Sequence, residues 1–149
     1  MMTESPALTI RKATNPDELS HAFRIRETVF VKEQQVAAEE EYDQHDTTAT
    51  HLVVFDAEGV PCGTARWRQT DKGIKLERFA VLRSHRGQGV GRLLLETILW
   101  DIDEDPNVNQ QPIYLHAQTS AVNFYKKFGF DLVGEEFEEC NIKHYEMIL

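Results

Sequence analysis

The chain of 149 residues is 41% hydrophobic and 28% charged, which is typical of a globular protein and argues against disorder. Its length fits one domain with one core, so we expect a single domain over residues 1–149. Its formal net charge of −9 excludes a general affinity for nucleic acid, because neutralising phosphates requires a basic surface.

The N-terminus has no basic segment followed by an apolar one, and the chain has no run of about 18 apolar residues. We therefore expect no secretion, no membrane span and no membrane partner. Cys62 and Cys140 are too few for a disulfide framework, and neither lies in the spacing of a metal site. Together these features predict a cytoplasmic protein with two free thiols and no metal.

The first third of the chain predicts one strand and one helix. Residues 8–12 alternate between apolar and polar side chains, as a half-buried strand does. Asn15 and Pro16 are a typical N-cap and first helical residue, so a helix begins there, with an apolar stripe that reaches Phe30. The polar and acidic residues from 32 to about 50 predict a long loop with room for one helical turn. Long ordered loops tend to be functional.

The rest of the chain predicts six strands and two helices. Apolar segments with short turns between them predict a meander of three antiparallel strands, at residues 51–55, 60–68 and 74–82. One helix begins at Val90 and ends before Pro106, and a shorter one begins near Thr119 or Ser120 and ends at Gly129. Further strands are predicted at residues 113–117, 130–133 and 143–147.

A glycine-rich segment joins the third strand of the meander to the helix that follows. It contains Gly87, Gly89 and Gly91, and residues 78–92 include four arginines and no acid. Such a turn between a strand and a helix directs unpaired backbone N–H groups and the positive end of the helix dipole at one point, where phosphate binds. The segment is neither a dinucleotide fingerprint, which needs glycine at position 92 or 94, nor a P-loop, which needs lysine after its last glycine.

Two motifs in this order resemble the GNAT acetyltransferase superfamily. Arg86-x-x-Gly89-x-Gly91 matches its (Gln/Arg)-x-x-Gly-x-(Gly/Ala) pyrophosphate loop, and residues 115–130 resemble its later strand and helix. Residues 29–52 and 134–144 also resemble the small bacterial ElaA/YjcF-like branch, so the resemblance covers nearly the whole chain. It implies an α/β (α+β) GNAT fold, in which a mixed central sheet is splayed into a V with helices on both faces. It also allows a homodimer.

The resemblance implies acetyl-CoA as the co-substrate and a place for each of its parts. Pantetheine would lie between the strand ending at Val81 and the strand ending at Ala117, against backbone groups of Phe79, Ala80 and Val81. The pyrophosphate would lie on the loop and helix start formed by Arg86, Gly87, Gln88, Gly89, Val90, Gly91 and Arg92. Gln118 and Asn123 are the other residues expected at the cofactor.

Two catalytic roles follow from the same resemblance. Tyr125 matches the tyrosine that protonates the leaving thiolate in GNAT enzymes, so we expect it to be the general acid beside the cofactor. The attacking amine must be neutral, which calls for a general base. Glu77 is the first candidate, because period-two alternation puts it on the side of Phe79 unless a bulge intervenes. His116 and His144 are the alternatives.

The predicted function is therefore transfer of an acetyl group from acetyl-CoA to a primary amine by direct attack. The acceptor is a small-molecule amine or a peptide amine, and carboxylates within residues 33–46 could attract a cationic one. Two alternatives stay open. Arg26, Phe30 and the acids at 41, 43 and 46 resemble acyl-homoserine-lactone synthases, which combine an acyl donor with S-adenosylmethionine. A non-catalytic CoA-binding or interaction module would carry the same phosphate motif.

Overall fold

The computed structural model describes residues 7–149. The expectation of no export signal rests on residues 1–6, which lie outside the described part of the chain. Over residues 7–149, no helix is both long enough and apolar enough to cross a membrane.

Seven strands form one mixed sheet. The strands are β1 (Thr9–Lys12), β2 (Thr50–Phe55), β3 (Pro61–Thr70), β4 (Gly73–Val81), β5 (Ile113–Gln118), β6 (Asp131–Glu139) and β7 (Ile142–Ile148). Their spatial order is β1-β2-β3-β4-β5-β7-β6. The first four strands pair antiparallel with their neighbours in the chain, which confirms the predicted meander. The last two strands are longer than predicted and form a hairpin that turns at Cys140 and Asn141.

The helices lie at the predicted places, with additions between residues 27 and 47. The α-helices are α1 (Pro16–Arg26), α2 (Ala38–Glu41), α3 (Val90–Glu104) and α4 (Val122–Lys126). A π-helix (Glu27–Glu33) continues α1, and 3-10 helices lie at Gln44–Thr47, Arg83–His85 and Thr119–Ala121. The predicted loop contains two short helical segments, α2 and the 3-10 helix at Gln44–Thr47, where room for one turn was expected. The predicted helix extends past Phe30 to Glu33 as the π-helix, because Val29 and Phe30 are buried against the sheet.

Local sequence signals account for the helix ends that were predicted. The side chain of Asn15 accepts a hydrogen bond from the backbone N–H of Glu18 at 2.9 Å, and Pro16 is the first residue of α1. Gly129 follows α4 with a φ angle of 94°, a left-handed conformation in which glycine is favoured. These contacts confirm the start of α1 and the end of the shorter helix.

Helices cover both faces of the sheet, each over its own apolar cluster. On one face, α3 and α4 pack on the sheet through a cluster that includes Leu94, Ile98 and Tyr125. On the other face, α1 and the π-helix pack through a cluster that includes Ile25 and Phe30. The layers of helix, sheet and helix are those of the predicted fold class.

The sheet opens between β4 and β5. These two strands pair in parallel at only three positions, Ile74 with Ile113, Lys75 with Tyr114 and Leu76 with Leu115. Beyond them β4 continues to Val81 and β5 to Gln118 without pairing with each other. The strands therefore diverge, which confirms the predicted V, and their facing edges carry backbone groups that have no strand partner.

Candidate active site

A cavity of about 220 Å³ lies where β4 and β5 diverge. Its wall is formed by these strands together with β7, α4, α2, the end of the π-helix and the turn between β6 and β7. The wall includes six of the residues singled out from the sequence, namely Glu77, Phe79, His116, Gln118, Tyr125 and His144. The fold thus brings the expected general acid and all three candidate bases into one pocket.

The glycine-rich segment provides free backbone amides. The N–H groups of residues 87–92 have no acceptor in the described part of the chain. Gly87 and Gly89 have φ angles of 77° and 86°, and a Cβ on either would meet no atom within 4 Å, so a ligand can approach the backbone closely. Because α3 begins directly after Gly89, the positive end of its dipole lies at the same place. These residues fit a pyrophosphate group.

The arginine side chains near this segment have protein partners. Arg86 donates to both carboxylate oxygens of Glu33 at 2.8 Å and, through Nε, to the carbonyl of Val81 at 3.0 Å. Arg92 pairs with Glu96 at 2.6 Å on the exposed side of α3. Phosphate contacts by Arg86 or Arg92 would require these pairs to open. The anion site in this structure is therefore made by the backbone.

Tyr125 lies on the pocket wall and is 7% exposed. Its ring packs edge-on against Phe79, with 5.8 Å between the ring centroids. Burial raises the pKa of Tyr125, so the phenol keeps its proton at neutral pH. Among the described residues, none hydrogen-bonds to its hydroxyl. A protonated hydroxyl without a protein partner, facing a cavity, has the properties of a proton donor.

A β-bulge changes the side on which Glu77 lies. Thr64 pairs with Ala80 and Arg66 pairs with Glu77, so two residues of β4 oppose one residue of β3. Arg78, the first residue of the bulge, has a φ angle of 58°. As a result Glu77 points to the α1 side of the sheet, whereas Phe79 packs on the α3 side. The expectation that the two share a side is wrong, because the bulge reverses the alternation.

Glu77 is held by arginines. One carboxylate oxygen accepts from Arg66 at 2.8 Å, and the other accepts from Arg68. Burial acts to raise the pKa of Glu77, but the hydrogen bond and charge of Arg66, with help from Lys75 and Arg68, outweigh burial and lower it. Glu77 is therefore a stable carboxylate with both oxygens occupied.

Glu77 belongs to a buried network of eight charged side chains. The network consists of Arg26, Arg66, Arg68, Arg78, Glu41, Asp43, Asp46 and Glu77. At its centre, Arg66 is 0% exposed and donates to Asp46 at 2.6 Å and to Asp43 at 2.8 Å. Arg26 joins Glu41 at 2.9 Å to Asp46 at 2.6 Å. Four positive and four negative groups balance one another.

This network changes the interpretation of the acidic residues from 33 to 46. Glu41 and Asp46 are buried against arginines, and Glu33 pairs with Arg86. Their charges are neutralised inside the protein, so they are poorly placed to attract a cationic acceptor. Glu40 is the carboxylate of this segment that is exposed and also lines the pocket.

The two histidines have different surroundings. His116 has Nδ1 at 3.3 Å from Glu139 and Nε2 at 3.2 Å from Glu146. The hydrogen bond from His116 lowers the pKa of Glu139 to about 2, against the effect of burial. His144 is 9% exposed, and its Nδ1 lies 2.7 Å from the carbonyl of Ile142.

Gln118 and Asn123 differ in their relation to the pocket. Gln118 lies on the pocket wall, where its amide donates to Gln34 at 2.9 Å. Asn123 is exposed on α4 and does not line the pocket. Contact of Asn123 with a cofactor therefore stays a prediction that the cavity does not support.

Several residues of the site were not assigned a role from the sequence. Glu139 and Cys140 line the pocket from the β6–β7 hairpin, and Arg66 positions Glu77. For the bulge there was a signal. Apolar residues of β4 stand at 74, 76, 79 and 81, so the alternation slips by one residue between Leu76 and Phe79.

Comparison with known proteins gives concordant matches. A family model of the acetyltransferase (GNAT) domain matches residues 12–149. YjcF of Bacillus subtilis (strain 168), an uncharacterized N-acetyltransferase, is 43% identical over 137 residues, covering 91% of this chain and 95% of that protein. The crystal structure of Escherichia coli ElaA has a TM-score of 0.83 at 25% identity and covers 95% of this chain and 99% of that one. An acyl-CoA N-acyltransferase from Pseudomonas aeruginosa has a TM-score of 0.82 at 26% identity, with coverage of 97% and 99%.

These matches agree with the two motifs, with the V between β4 and β5 and with the layers of helix and sheet. The family match extends over nearly the whole chain, and both named relatives, YjcF and ElaA, are of similar length to it. The chain belongs to the GNAT acetyltransferase family, in the branch of small bacterial proteins that includes YjcF and ElaA.

Proposed function

We propose that this chain transfers an acetyl group from acetyl-CoA to a primary amine by direct attack, and that Tyr125 protonates the leaving thiolate. The observation that carries the proposal is the position of Tyr125 on the pocket wall, on the helix that packs against the free-amide loop. A Cβ placed on Gly91 of that loop would lie 3.5 Å from the ring of Phe124, the neighbour of Tyr125. Adjacent elements can therefore bind the phosphate group and the reacting thioester of the same cofactor.

The divergence of β4 and β5 supports a place for pantetheine. An extended chain with two amides can pair with the backbone groups that the facing strand edges leave open. Phe79 contributes such groups on β4, whereas the backbone of Ala80 faces Thr64 of β3, contrary to expectation, and the carbonyl of Val81 already accepts from Arg86. Bound acetyl-CoA would supply the activated thioester, and the chain would orient it and move the protons.

The cysteines support direct attack without an acetyl-enzyme. Cys140 lines the pocket, but burial, with Glu40 nearby, raises the pKa of its thiol to about 11. Burial also raises the pKa of Cys62 to about 11. Because the thiolate is the nucleophilic form, neither thiol is activated at neutral pH. The amine itself is then the nucleophile that attacks the thioester.

The first test measures release of the CoA thiol when purified protein is mixed with acetyl-CoA and a panel of amines, including polyamines, amino sugars and peptides. Tyr125→Phe is the matched variant, since it removes one hydroxyl and keeps the ring that packs on Phe79. We expect turnover with at least one amine and a decrease in kcat of about 10²–10⁴-fold in the variant. Binding of acetyl-CoA, measured by calorimetry, should stay within a factor of about three, since the ring keeps its packing.

Other outcomes distinguish the alternatives. Binding of acetyl-CoA without transfer to any amine would favour a CoA-binding module. Product formation only with S-adenosylmethionine and an acyl donor would favour an acyl-homoserine-lactone synthase activity. Failure to bind acetyl-CoA at all would contradict the assignment of residues 87–92 to phosphate.

A further inference from the structure

We infer that His144 is the general base for the incoming amine, in place of Glu77 and His116; this inference rests on the proposed function. The three groups share one pocket with Tyr125, but only His144 has a ring nitrogen or carboxylate oxygen that makes no hydrogen bond among the described residues.

Both carboxylate oxygens of Glu77 are already hydrogen-bonded. Each of its two carboxylate oxygens accepts from an arginine, and Arg66 is itself fully buried. To accept a proton from an amine, Glu77 would have to give up a charge-assisted hydrogen bond and leave a buried guanidinium without its partner.

His116 has both ring nitrogens directed at carboxylates. Glu139 and Glu146 only accept hydrogen bonds, so both contacts are satisfied only when each nitrogen of His116 carries a proton. In that form the ring is an imidazolium without a lone pair. Lys72 pairs with Glu146 at 2.6 Å and fixes that carboxylate in place. Both ring nitrogens of His116 are therefore engaged with carboxylates, and its ring joins β5 to β6 and β7.

His144 differs from His116 because only one of its ring nitrogens makes a hydrogen bond. The carbonyl of Ile142 accepts from Nδ1 at 2.7 Å, and this contact places the proton of the neutral ring on Nδ1. Nε2 then carries the lone pair, and it has no hydrogen-bond partner among residues 7–149. The ring stacks on Phe137 with an interplanar angle of 22°, which holds its orientation. The backbone contact and the stacking together position a proton acceptor in the pocket.

The charged groups around His144 favour the protonated ring once it forms. Glu139 on β6 and Glu77 across the pocket on β4 are carboxylates, and α2 contributes Glu40 and Glu41. The positive groups facing the same space are His116 on β5, and Lys75 and Arg78 on β4. Arg78 is engaged with Glu41 and Asp43, and His116 with Glu139. The negative charge of Glu139, which is shared with His116, would also favour an imidazolium at His144.

The proposed step moves two protons. The neutral amine attacks the thioester carbonyl carbon and forms the C–N bond, while Nε2 of His144 takes one proton from that nitrogen. The C–S bond then breaks, and the thiolate takes the phenolic proton of Tyr125. Net transfer of one proton from the imidazolium to the phenolate restores both side chains, and the products are the acetylated amine and the CoA thiol.

The first test compares His144→Asn with the wild type, because asparagine can still donate to the Ile142 carbonyl but has no group in place of Nε2. The readout is the ratio of wild-type to variant kcat/KM across pH for one accepted amine, since this ratio cancels the titration of the free amine. We expect a ratio of about 10²–10⁴ at neutral pH that falls as the pH is lowered, because the wild-type ring becomes protonated. Free imidazole should restore part of the activity of the variant.

The variants His116→Asn and Glu77→Gln test the two other candidate bases by the same pH profile of kcat/KM. We expect no such pH-dependent ratio for either of them, even if one of them lowers stability. A pH-independent ratio below about fivefold for His144→Asn, or the falling ratio in His116→Asn or Glu77→Gln, would overturn the assignment; general base catalysis is worth far more than that.

A second measurement does not depend on turnover. Nitrogen NMR of ¹⁵N-histidine-labelled protein separates protonated from unprotonated ring nitrogens, and His144→Asn identifies the signals of His144. We expect one protonated and one free nitrogen for His144 at pH 7.5, with the proton on Nδ1. A doubly protonated His144 at that pH, or a free Nδ1, would overturn the inference even if acetyl transfer is found. Absence of transfer with the expected NMR pattern would instead locate the failure in the proposed function.

Discussion

The two ends of the candidate site are formed by different groups, one by backbone amides and the other by charged side chains. The end that we propose for phosphate, the phosphate end, consists of six consecutive backbone amides at residues 87–92, together with the first turn of α3. The end that we propose for the acceptor, the acceptor end, is bounded by the eight-residue charge network, whose members come from α1, β3, β4 and residues 41–46. The first kind of site is local in sequence and depends on backbone conformation. The second depends on side chains that the fold collects from distant positions.

The largest effect is expected from Arg66→Met, which would break the acceptor end. The variant leaves Asp43, Asp46 and Glu77 without their shared partner, and breaking a buried ion pair from one side costs about 3–5 kcal/mol of the free energy of unfolding. Urea unfolding measures this loss. Arg68→Met is the control, because Arg68 is partly exposed and contacts Glu77 alone, so we expect a smaller loss. Equal losses in the two variants would show that Arg66 is not the centre of the network.

Acidification tests the same network without a mutation. Burial acts to raise the pKa of Asp46, but Arg26 and Arg66 outweigh it, and the pKa values of Asp46, Asp43 and Glu77 all lie below their ordinary values. Since the unfolded chain then binds protons at higher pH than the folded one, the stabilisation is complete above about pH 5 and is lost as the pH falls through about 4 and below.

We expect the urea midpoint to decrease from pH 5 to pH 3, by less than the Arg66→Met substitution causes, because the carboxyls are only partly protonated at pH 3. In Arg66→Met the pH dependence over the same range should be weaker, since the main cause of the lowered pKa values of Asp43 and Glu77 is gone, while Arg26 still lowers the pKa of Asp46. An unchanged slope in the variant would contradict the assignment of these shifts to Arg66.

Gly89→Ala tests whether the phosphate end depends on backbone conformation. Alanine at a φ angle of 86° costs about 1–2 kcal/mol of unfolding free energy. Its methyl group would also occupy the open space beside the free amides, so we expect acetyl-CoA to bind about tenfold more weakly, equal to about 1.4 kcal/mol. Gly59→Ala is the matched control, because Gly59 has a φ angle of 79° and the same open surroundings in the turn between β2 and β3. Gly59→Ala should lose stability and keep the affinity for acetyl-CoA.

The smallest effect concerns the arginine at the same loop. Glu33→Gln would release the guanidinium of Arg86, and an exposed ion pair of this kind contributes about 0.2–1 kcal/mol. If Arg86 then contacts phosphate, acetyl-CoA should bind up to about fivefold more tightly at low salt, with less gain at high salt. Calorimetry at two salt concentrations measures both values. Weaker binding in Glu33→Gln would show that the pair positions the loop for its ligand.

The features that could be predicted from the sequence are those that depend on neighbouring residues. The start of α1 at Asn15 and Pro16, the end after α4 at Gly129 and the glycine-rich loop all depend on neighbouring residues, and each was predictable. The resemblance to GNAT enzymes added the V-shaped opening, which depends on a parallel pairing between residues 37 or more positions apart. Local patterns alone do not specify such a pairing.

The features that were missed depend on contacts across the fold. The network requires Arg66 to meet acids 20 or more positions away, and charge runs in a sequence do not show their partners. The prediction of the side on which Glu77 lies failed for a related reason. The alternation rule gave Glu77 the wrong side because two residues, Arg78 and Phe79, occupy one position of the ladder. The tautomer inferred for His144 depends on the carbonyl of Ile142, two residues earlier in β7, and the sequence does not show the ring orientation that makes this contact.

The bulge at Arg78 has a consequence for the protein outside catalysis. A sheet that opens in its middle exposes two strand edges, and unpaired edges are sites where chains aggregate by adding a strand. On β4 that edge extends only from residue 77 to 81, and the left-handed residue at 78 interrupts its regular spacing of N–H and C=O groups. A foreign strand would find no continuous ladder there, while a short flexible ligand needs only a few of those groups. The bulge that made the sequence-based placement of Glu77 wrong therefore also protects the open cleft against self-association.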